Sequence, residues 1–499
     1  MIHYLLCGAT LFAAASAQLS SNSSAFAINV DCACSELSQK LPDSVLVPSS
    51  ENFTVETKNF WDVRSAVAPA CMFFPTSADE VAEGVSVIAS CDAQFAIRGG
   101  GHMNFPGSNS IEGGVLLALN KLSDMSVDEE ESTISVGPGN KWVDVYGALD
   151  EYGLYTNGGR LKTIGVPGLT LIGGFHYFIN KYGYTMDSVK SYDVVLGNGT
   201  QIVANSTSNC ELFWALKGGA ANFGIVTKFV LQAWKIPKIS TTIQVYEEEH
   251  IPQFIEAASE MIVDDDGEVA AGSVLSINYN LTTGSLGASL LGVQEGTESP
   301  PSRFAPFSAI PSTMRLDNVT APKVWHSDKE SPNQMFRIQF AHHTVVATAT
   351  DRLYEIVQAW KAAVAEIADV EGLYPTFVLN TMPKSAASVA KTNGVGNVWG
   401  LEDDESLIIW QLATGWANAS DDLRITSWAK NFIEYHHSIN QDLGVAHEFL
   451  YMGDAGEFQD PYLTFPAENV EKLRAVRTSY DPGHVFSKLN WGGFKLAVV

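Results

Sequence analysis

Up to residue 237, short apolar runs alternate with glycine-rich breaks. Ser77-Ala-Asp-Glu80, following Pro75, has the spacing of a capping box and predicts a helix running to about Ser90. Phe95-Ala-Ile-Arg98 reads as a short buried strand that runs into three glycines. Gly114–Asn120 and Thr133–Val136 read as further strands, with Asp128–Glu131 a solvated turn between them. Lys141–Tyr152 is helix-like, and Gly165–Gly174 mixes glycines with aliphatic residues. Asp193–Leu196, Asn198-Gly199 and Gln201–Ala204 form the pattern of a hairpin, and Phe223–Trp234 reads as a long apolar strand.

From residue 238 to 445 the pattern differs. Ile239–Tyr246, Ser273–Leu281 and Met335–Phe340 alternate polar and apolar positions, as half-buried strands do. Thr350–Ala368 and Ser420–Asp442 predict amphipathic helices. An antiparallel sheet covered by helices follows, so the fold class is α+β in two parts. The expected division is a segment 18–66, a first domain 67–237, a second domain 238–445, and a C-terminal segment 446–499 that returns to the first.

Composition narrows the function. The 499 residues carry a formal net charge of −26, which disfavours nucleic acid and anionic membrane surfaces as partners. After residue 20 there is no apolar run of the ~18 residues that argues a membrane span. Tyr4–Ala15 is mostly apolar and Ala15-Ser16-Ala17 is a small-residue cleavage motif, so residues 1–17 read as an export signal. Sequons at Asn22, Asn52, Asn198, Asn205, Asn280, Asn318 and Asn418 fit a secreted glycoprotein, and dense glycosylation would favour a monomer. Cys7 falls in the signal. Cys32, Cys34, Cys71 and Cys91 predict one or two disulfides, with Cys210 left free by isolation. Cys32-Ala-Cys34 lacks a matching second pair for zinc, and no metal site is expected.

Three glycine clusters carry the chemistry. In Arg98-Gly-Gly-Gly-His102 the glycines let backbone N–H groups approach a ligand and form an anion-binding nest, with an imidazole directly after it. Gly165-Val-Pro-Gly168-Leu-Thr-Leu-Ile-Gly173-Gly174 is the second cluster and does not match the G-x-G-x-x-G dinucleotide fingerprint. Gly218-Gly219-Ala-Ala-Asn-Phe-Gly224-Ile-Val-Thr227 is the third. Together they suggest one long ligand with a pyrophosphate. His342-His343 and His436-His437 are weak metal candidates, because neighbours on a strand point to opposite faces. The first pair is placed near a substrate pocket and the second on a helix surface. Asp264-Asp-Asp266-Gly267 reads as a solvated turn, and Phe175 as core or as a residue near the ligand. Trp325, Trp360, Trp399, Trp410, Trp416 and Trp428 are candidate platforms for stacking a sugar.

The order Pro75-Thr-Ser, Arg98-Gly-Gly-Gly-His102, Gly137-Pro-Gly139-x-x-Trp142, Tyr182-Gly-x-x-x-Asp187 and Gly224-Ile-Val-Thr227 resembles the FAD-linked oxidases of the vanillyl-alcohol-oxidase superfamily. More narrowly it resembles the berberine-bridge-enzyme-like group and its secreted fungal oxidases, as does the tail through Asp481-Pro-Gly-His-Val-Phe and Gly492-Gly-Phe-Lys-Leu496. The resemblance covers nearly the whole mature chain. It implies a two-part PCMH-type FAD domain with a substrate domain over the isoalloxazine. It also implies a flavin bonded through its 8α-methyl to His102. Many members add a bond from a Cys in the later glycine loop. This chain has no Cys between 92 and 209, so FAD is expected to be linked through His102 only.

The resemblance further implies that Arg98, Gly99, Gly100, Gly101, His102, Gly107 and Ser108 hold the pyrophosphate side of FAD. Gly165, Gly168, Leu169, Thr170, Gly173 and Gly174 are expected along the flavin, with Tyr182, Asp187, Gly224, Ile225, Val226 and Asn490 completing the cofactor set. Relatives often read Tyr-x-Asn-Tyr-Ala near the C-terminus, where the second Tyr helps deprotonate an alcohol. Here the segment is Tyr451-Met-Gly453-Asp454-Ala455, so Asp454 and Tyr451 are the two candidates for the catalytic base. The implied reaction moves hydride from an alcohol or sugar-like substrate to flavin, with dioxygen as acceptor and hydrogen peroxide as product. The alternative is a flavoprotein of secondary metabolism that performs oxidative cyclisation or has reduced oxidase activity.

Overall fold

The computed structural model describes residues 28–328 and 337–496. The expected signal segment, the sequon at Asn22 and most of the Ser- and Ala-rich stretch lie outside the described residues, as do Met335 and Phe336 of one expected strand.

Continuous apolar runs make the first sheet. Val115–Ala118 is buried along its whole length. It pairs in parallel with Cys71–Phe73 on one side and Phe95–Arg98 on the other. Val45–Leu46 closes one edge, antiparallel to Cys71–Phe73. Parallel strands need a crossover, and the helix Ala78–Ser90 supplies it, packing Val81, Val85 and Ile88 with Phe73, Val115 and Leu117. The capping box at its start is only half closed. Ser77 Oγ accepts from Glu80 N at 3.2 Å, but the Glu80 carboxylate takes Thr76 N and the Ser44 hydroxyl instead of Ser77 N.

Helical residues 28–40 lie against this sheet, stapled by Cys32–Cys91 and Cys34–Cys71. Cys210 is free and exposed.

The second sheet is antiparallel, in the order Met125–Asp128, Thr133–Val136, Ile225–Gln232, Val189–Val195, Gln201–Asn205. The expected hairpin forms, with Gly199 at φ +79° making its turn. Gly165–Gly174 is not simply loop, since Val166–Leu171 winds into a short helix with Pro167 in its first turn.

The third sheet has eight antiparallel strands among the described residues: Met314–Thr320, Ile239–Glu247, Leu286–Glu295, Ala271–Tyr279, Tyr374–Met382, Leu407–Trp416, Arg337–Val346 and Ala446–His447. Its two faces differ because side chains alternate along each strand. Leu275, Ile277, Phe377, Leu379, Trp410 and Leu412 join one core with the helices Ile251–Val263, Thr350–Ala365 and Asp422–Asp442. Val274, Val378, Phe340 and Ala413, at alternate positions, turn the other way and roof a cavity. No helix among the described residues is long and apolar enough to cross a membrane.

Three sequence expectations change here. Asp265 is not a solvated turn residue: it is 5% exposed, pairs with Arg303 at 2.6 Å and accepts from Asn180 and Gly267 N. His436 is buried against Arg352 rather than on the surface, and His437 stacks on His343 with ring centroids 3.7 Å apart. Of the six candidate tryptophans, Trp325, Trp360, Trp399, Trp410 and Trp416 are core, and Trp428 donates to Ala363 O; none lines the cavity.

The two disulfides close long loops, so removing one should destabilise the fold through the unfolded chain. Cys34→Ser with Cys71→Ser is expected to cost about 2–4 kcal/mol in denaturant unfolding. Cys210→Ser should leave the midpoint unchanged.

Candidate active site

A cavity of about 420 Å³ lies between the glycine clusters and the free face of the eight-stranded sheet. Its floor is largely backbone. Residues 99–101 leave the strand Phe95–Arg98 and meet the turn into the helix Val166–Leu171. A Cβ on Gly100 would fall 2.5 Å from Gly165 N, and one on Gly165 would fall 2.6 Å from Gly100 Cα. Neither contact could give way, because both partners are main chain. Nothing lies within 4 Å of where a Gly168 Cβ would stand, so that backbone faces open space. Ala220, Ala221, Gly224, Ile225 and Val226 form one wall, and the tail from Asn490 to Lys495 forms another. The tail is fixed by a parallel bridge from Asn490 to Phe95.

His102 follows the first glycine loop. Its ring stacks on Trp61 at 4.6 Å, and Nε2 meets Thr163 Oγ1 at 3.0 Å. Burial lowers its pKa to about 4, so the imidazole is neutral near pH 7.

The segment Tyr451–Asp454 also lines the cavity and turns back on itself, with Asp454 N bonded to Tyr451 O. The Tyr451 ring lies where a Cβ on Gly453 would be, and its edge meets Phe175 at 4.8 Å between centroids. Burial, reinforced by Asp454, raises the Tyr451 pKa, so its hydroxyl stays protonated. The Asp454 carboxyl is pushed up to about 6 by burial, with Arg160 pulling the other way. Asn380 links these two groups. Its Nδ2 donates to Asp454 Oδ2 at 2.9 Å and to Gln411 Oε1 at 3.2 Å, and its Oδ1 accepts from Arg160 at 2.9 Å. Both N–H bonds are spent, so the amide has one orientation.

Of the expected site residues, Gly99, Gly100, Gly101, His102, Ser108, Gly165, Gly168, Leu169, Gly224, Ile225, Val226, Asn490, Tyr451 and Asp454 line this cavity. Seven others do not. Arg98 is the main correction. Strand alternation turns Ile97 to the cavity and Arg98 away from it. The Arg98 guanidinium bonds Glu56 O at 2.8 Å and the Glu56 carboxylate at 2.5 Å, between the rings of Phe60 and Phe74. Gly107 sits against Trp491. Thr170 is turned inward by its helix and bonds Val166 O. Gly173 and Gly174 make room for Trp399 and Thr185. Tyr182 stacks on Trp234 and bonds Glu295. Asp187 caps Tyr184 N and holds Asn393 and Asn397. The His342 and His343 side chains do face opposite ways, but neither lines the cavity.

Sequence reasoning passed over Arg160, Asn380, Trp61, Asn109 and Lys495. Arg160 follows Gly158-Gly159, just before the second glycine cluster, which is the one local signal that could have marked it. Lys495 lines the cavity with Nζ 3.2 Å from Phe486 O, and burial lowers its pKa to about 7. Asn109 also lines it, and its buried Oδ1 has no partner. Glycine backbone on the floor and Lys495 on the tail wall fit a cofactor that carries phosphates at one end, and Asn109 Oδ1 can accept from a hydroxyl or amino group of the same cofactor.

Residues 69–205 match the FAD binding domain family. The FAD-dependent monooxygenase prx3 of Penicillium roqueforti is 33% identical over 485 residues, covering 93% of each chain. The chain belongs to this family of FAD-dependent oxidoreductases. It combines an FAD-binding domain with an eight-stranded sheet backed by helices. Among solved structures, the BBE-like 1 protein of Physcomitrella patens superposes with a TM-score of 0.76 at 17% identity, covering 93% of this chain and 100% of that one. Glucooligosaccharide oxidase of Acremonium strictum superposes at 0.73 and 18%, covering 95% of this chain and 100% of that one; its flavin is described as 6-S-cysteinyl, 8α-N1-histidyl FAD.

Proposed function

We propose that this FAD-linked oxidoreductase oxidises a small, largely apolar alcohol, and that Asp454 takes the hydroxyl proton. One observation carries the reading: a half-buried carboxyl lines the cavity, oriented by Asn380, with its pKa pushed up to about 6. Such a group is ionised near pH 7 yet basic enough to accept a proton. Tyr451 keeps its proton, and its oxygen accepts from the main chain of Phe175 and Gly174. Trp61, Phe175, Phe340, Val274 and Val378 exclude water and hold an apolar substrate body. Bound FAD supplies the acceptor for the hydride from the carbinol carbon and the subsequent reaction with dioxygen, giving hydrogen peroxide.

Attachment of FAD through His102 alone is part of the same reading. Thr163 holds Nε2, which leaves Nδ1 as the nitrogen for the bond to the 8α-methyl. No cysteine lines the cavity, and Cys210 is exposed elsewhere. The two disulfides and the exposed sequons at Asn52, Asn198, Asn280, Asn318 and Asn418 support export and glycosylation.

The naming of prx3 as a monooxygenase favours a second reading, in which an oxygen atom enters the product. Turnover under ¹⁸O₂ separates the two. The oxidase reading expects the label in hydrogen peroxide and none in the organic product; label in the product favours the second. Asp454→Asn should lower kcat by about 10²- to 10⁴-fold. A base must be deprotonated to act, so wild-type kcat/KM should rise with pH through about 6, and that limb should vanish in the variant. Acid precipitation of the wild type should leave yellow colour in the pellet, and His102→Ala should release it to the supernatant.

A further inference from the structure

Arg160 is a cation lining a largely apolar cavity, and the Asp454 carboxyl is near enough to feel its charge without closing on it. Its guanidinium bonds two neutral acceptors, Ser273 O at 3.2 Å and Asn380 Oδ1 at 2.9 Å, and lies 5.9 Å from the centre of the Phe175 ring. It makes no ion pair with a carboxylate among the described residues. Its hydrogen-bonded link to Asp454 runs through Asn380. Contrast Arg98, Arg64 and Arg337, which each close directly on a carboxylate. A guanidinium carries five N–H groups. Two are committed, and the side chain lines the cavity.

A half-buried guanidinium with unspent N–H groups beside a cavity can receive an anion there. The chain has 56 acidic residues, so a carboxylate partner was easily available. Asn380 stands in that place instead. Its fixed amide receives Arg160 on one side and donates to Asp454 on the other, keeping cation and base apart. Lys495 stands in the C-terminal tail and bonds Phe486 O, whereas Arg160 bonds the sheet that forms the roof, so the two basic groups are held by different walls of the cavity.

We infer that Arg160 receives a carboxylate of the substrate, so that the alcohol oxidised here is an apolar hydroxy acid. This rests on the proposed role of Asp454. The acid group docks on Arg160 while the hydroxyl meets Asp454, the two separated by the Asn380 amide. The planar fork of arginine suits a carboxylate bidentately, which a lysine would not reproduce.

Binding tests this without turnover. Cinnamate and its neutral counterpart cinnamamide are titrated into the flavin-loaded protein, and the change in flavin absorbance gives each Kd. Wild type is expected to prefer cinnamate by at least about ten-fold, the scale of a charge-assisted hydrogen-bonded pair. Arg160→Gln should weaken cinnamate by about 10- to 100-fold and leave cinnamamide unchanged, which also reports an intact cavity. Arg160→Lys should recover only part of the loss. Equal binding of the two probes by wild type overturns the inference. So does Arg160→Gln that keeps its cinnamate affinity but lowers the flavin reduction potential, since the charge then serves the cofactor. The base assignment stands or falls separately, on the pH limb of Asp454→Asn.

Discussion

Two main chains can touch only where neither carries a side chain. The cavity floor depends on that contact between Gly100 and Gly165. It joins the end of one parallel strand to the start of a short helix. It also leaves the backbone of residues 99–101 and of Gly168 lining the cavity. Everything polar on the floor is consequently main chain or a short side chain. A phosphate-bearing cofactor can settle against such a surface without displacing anything. The same packing sets His102 at the rim, where Trp61 and Thr163 fix its ring.

The roof obeys a different rule. On the eight-stranded sheet, alternate residues go to the helix-backed core and to the cavity. A single register therefore decides both stability and site chemistry. Phe377 and Leu379 are core, and Val378 between them is cavity wall. Trp410 and Leu412 are core, and Gln411 between them reaches Asn380. A one-residue slip would bury the polar network and expose the core. That coupling explains how Asn380, 1% exposed, can be held with every hydrogen-bonding group in use.

Much of this was legible in the sequence, and the failures have physical causes. Strands whose apolar content is continuous, such as Val115–Ala118, and hairpins with Asn-Gly turns declare themselves locally. The glycine loops did too, because backbone approach is written directly in residue type. Arg98 was misassigned because motif adjacency says nothing about which face of a strand a side chain takes. Glu56, 42 positions earlier, claims it. Asp265 and His436 looked like surface residues because their partners, Arg303 and Arg352, are remote in sequence. Arg160 and Asn380 were passed over for the same reason: a loop residue meets a strand residue 220 positions away.

These two surfaces divide the work of selection. A floor made of main chain has little means to discriminate between substrates, because backbone donors are the same in every glycine loop. Discrimination must come from side chains, and in this cavity those lie mainly on the roof and at its edges. Arg160, Asn380, Asp454 and Gln411 are linked by hydrogen bonds, so the roof acts as one polar unit within an apolar wall. Changing any member alters the pairing of the others, since Asn380 has no spare donor with which to compensate. A chain of this architecture can therefore keep its cofactor floor and change its substrate by rewriting a few cavity-facing positions on the sheet and the loops that carry Arg160 and Asp454.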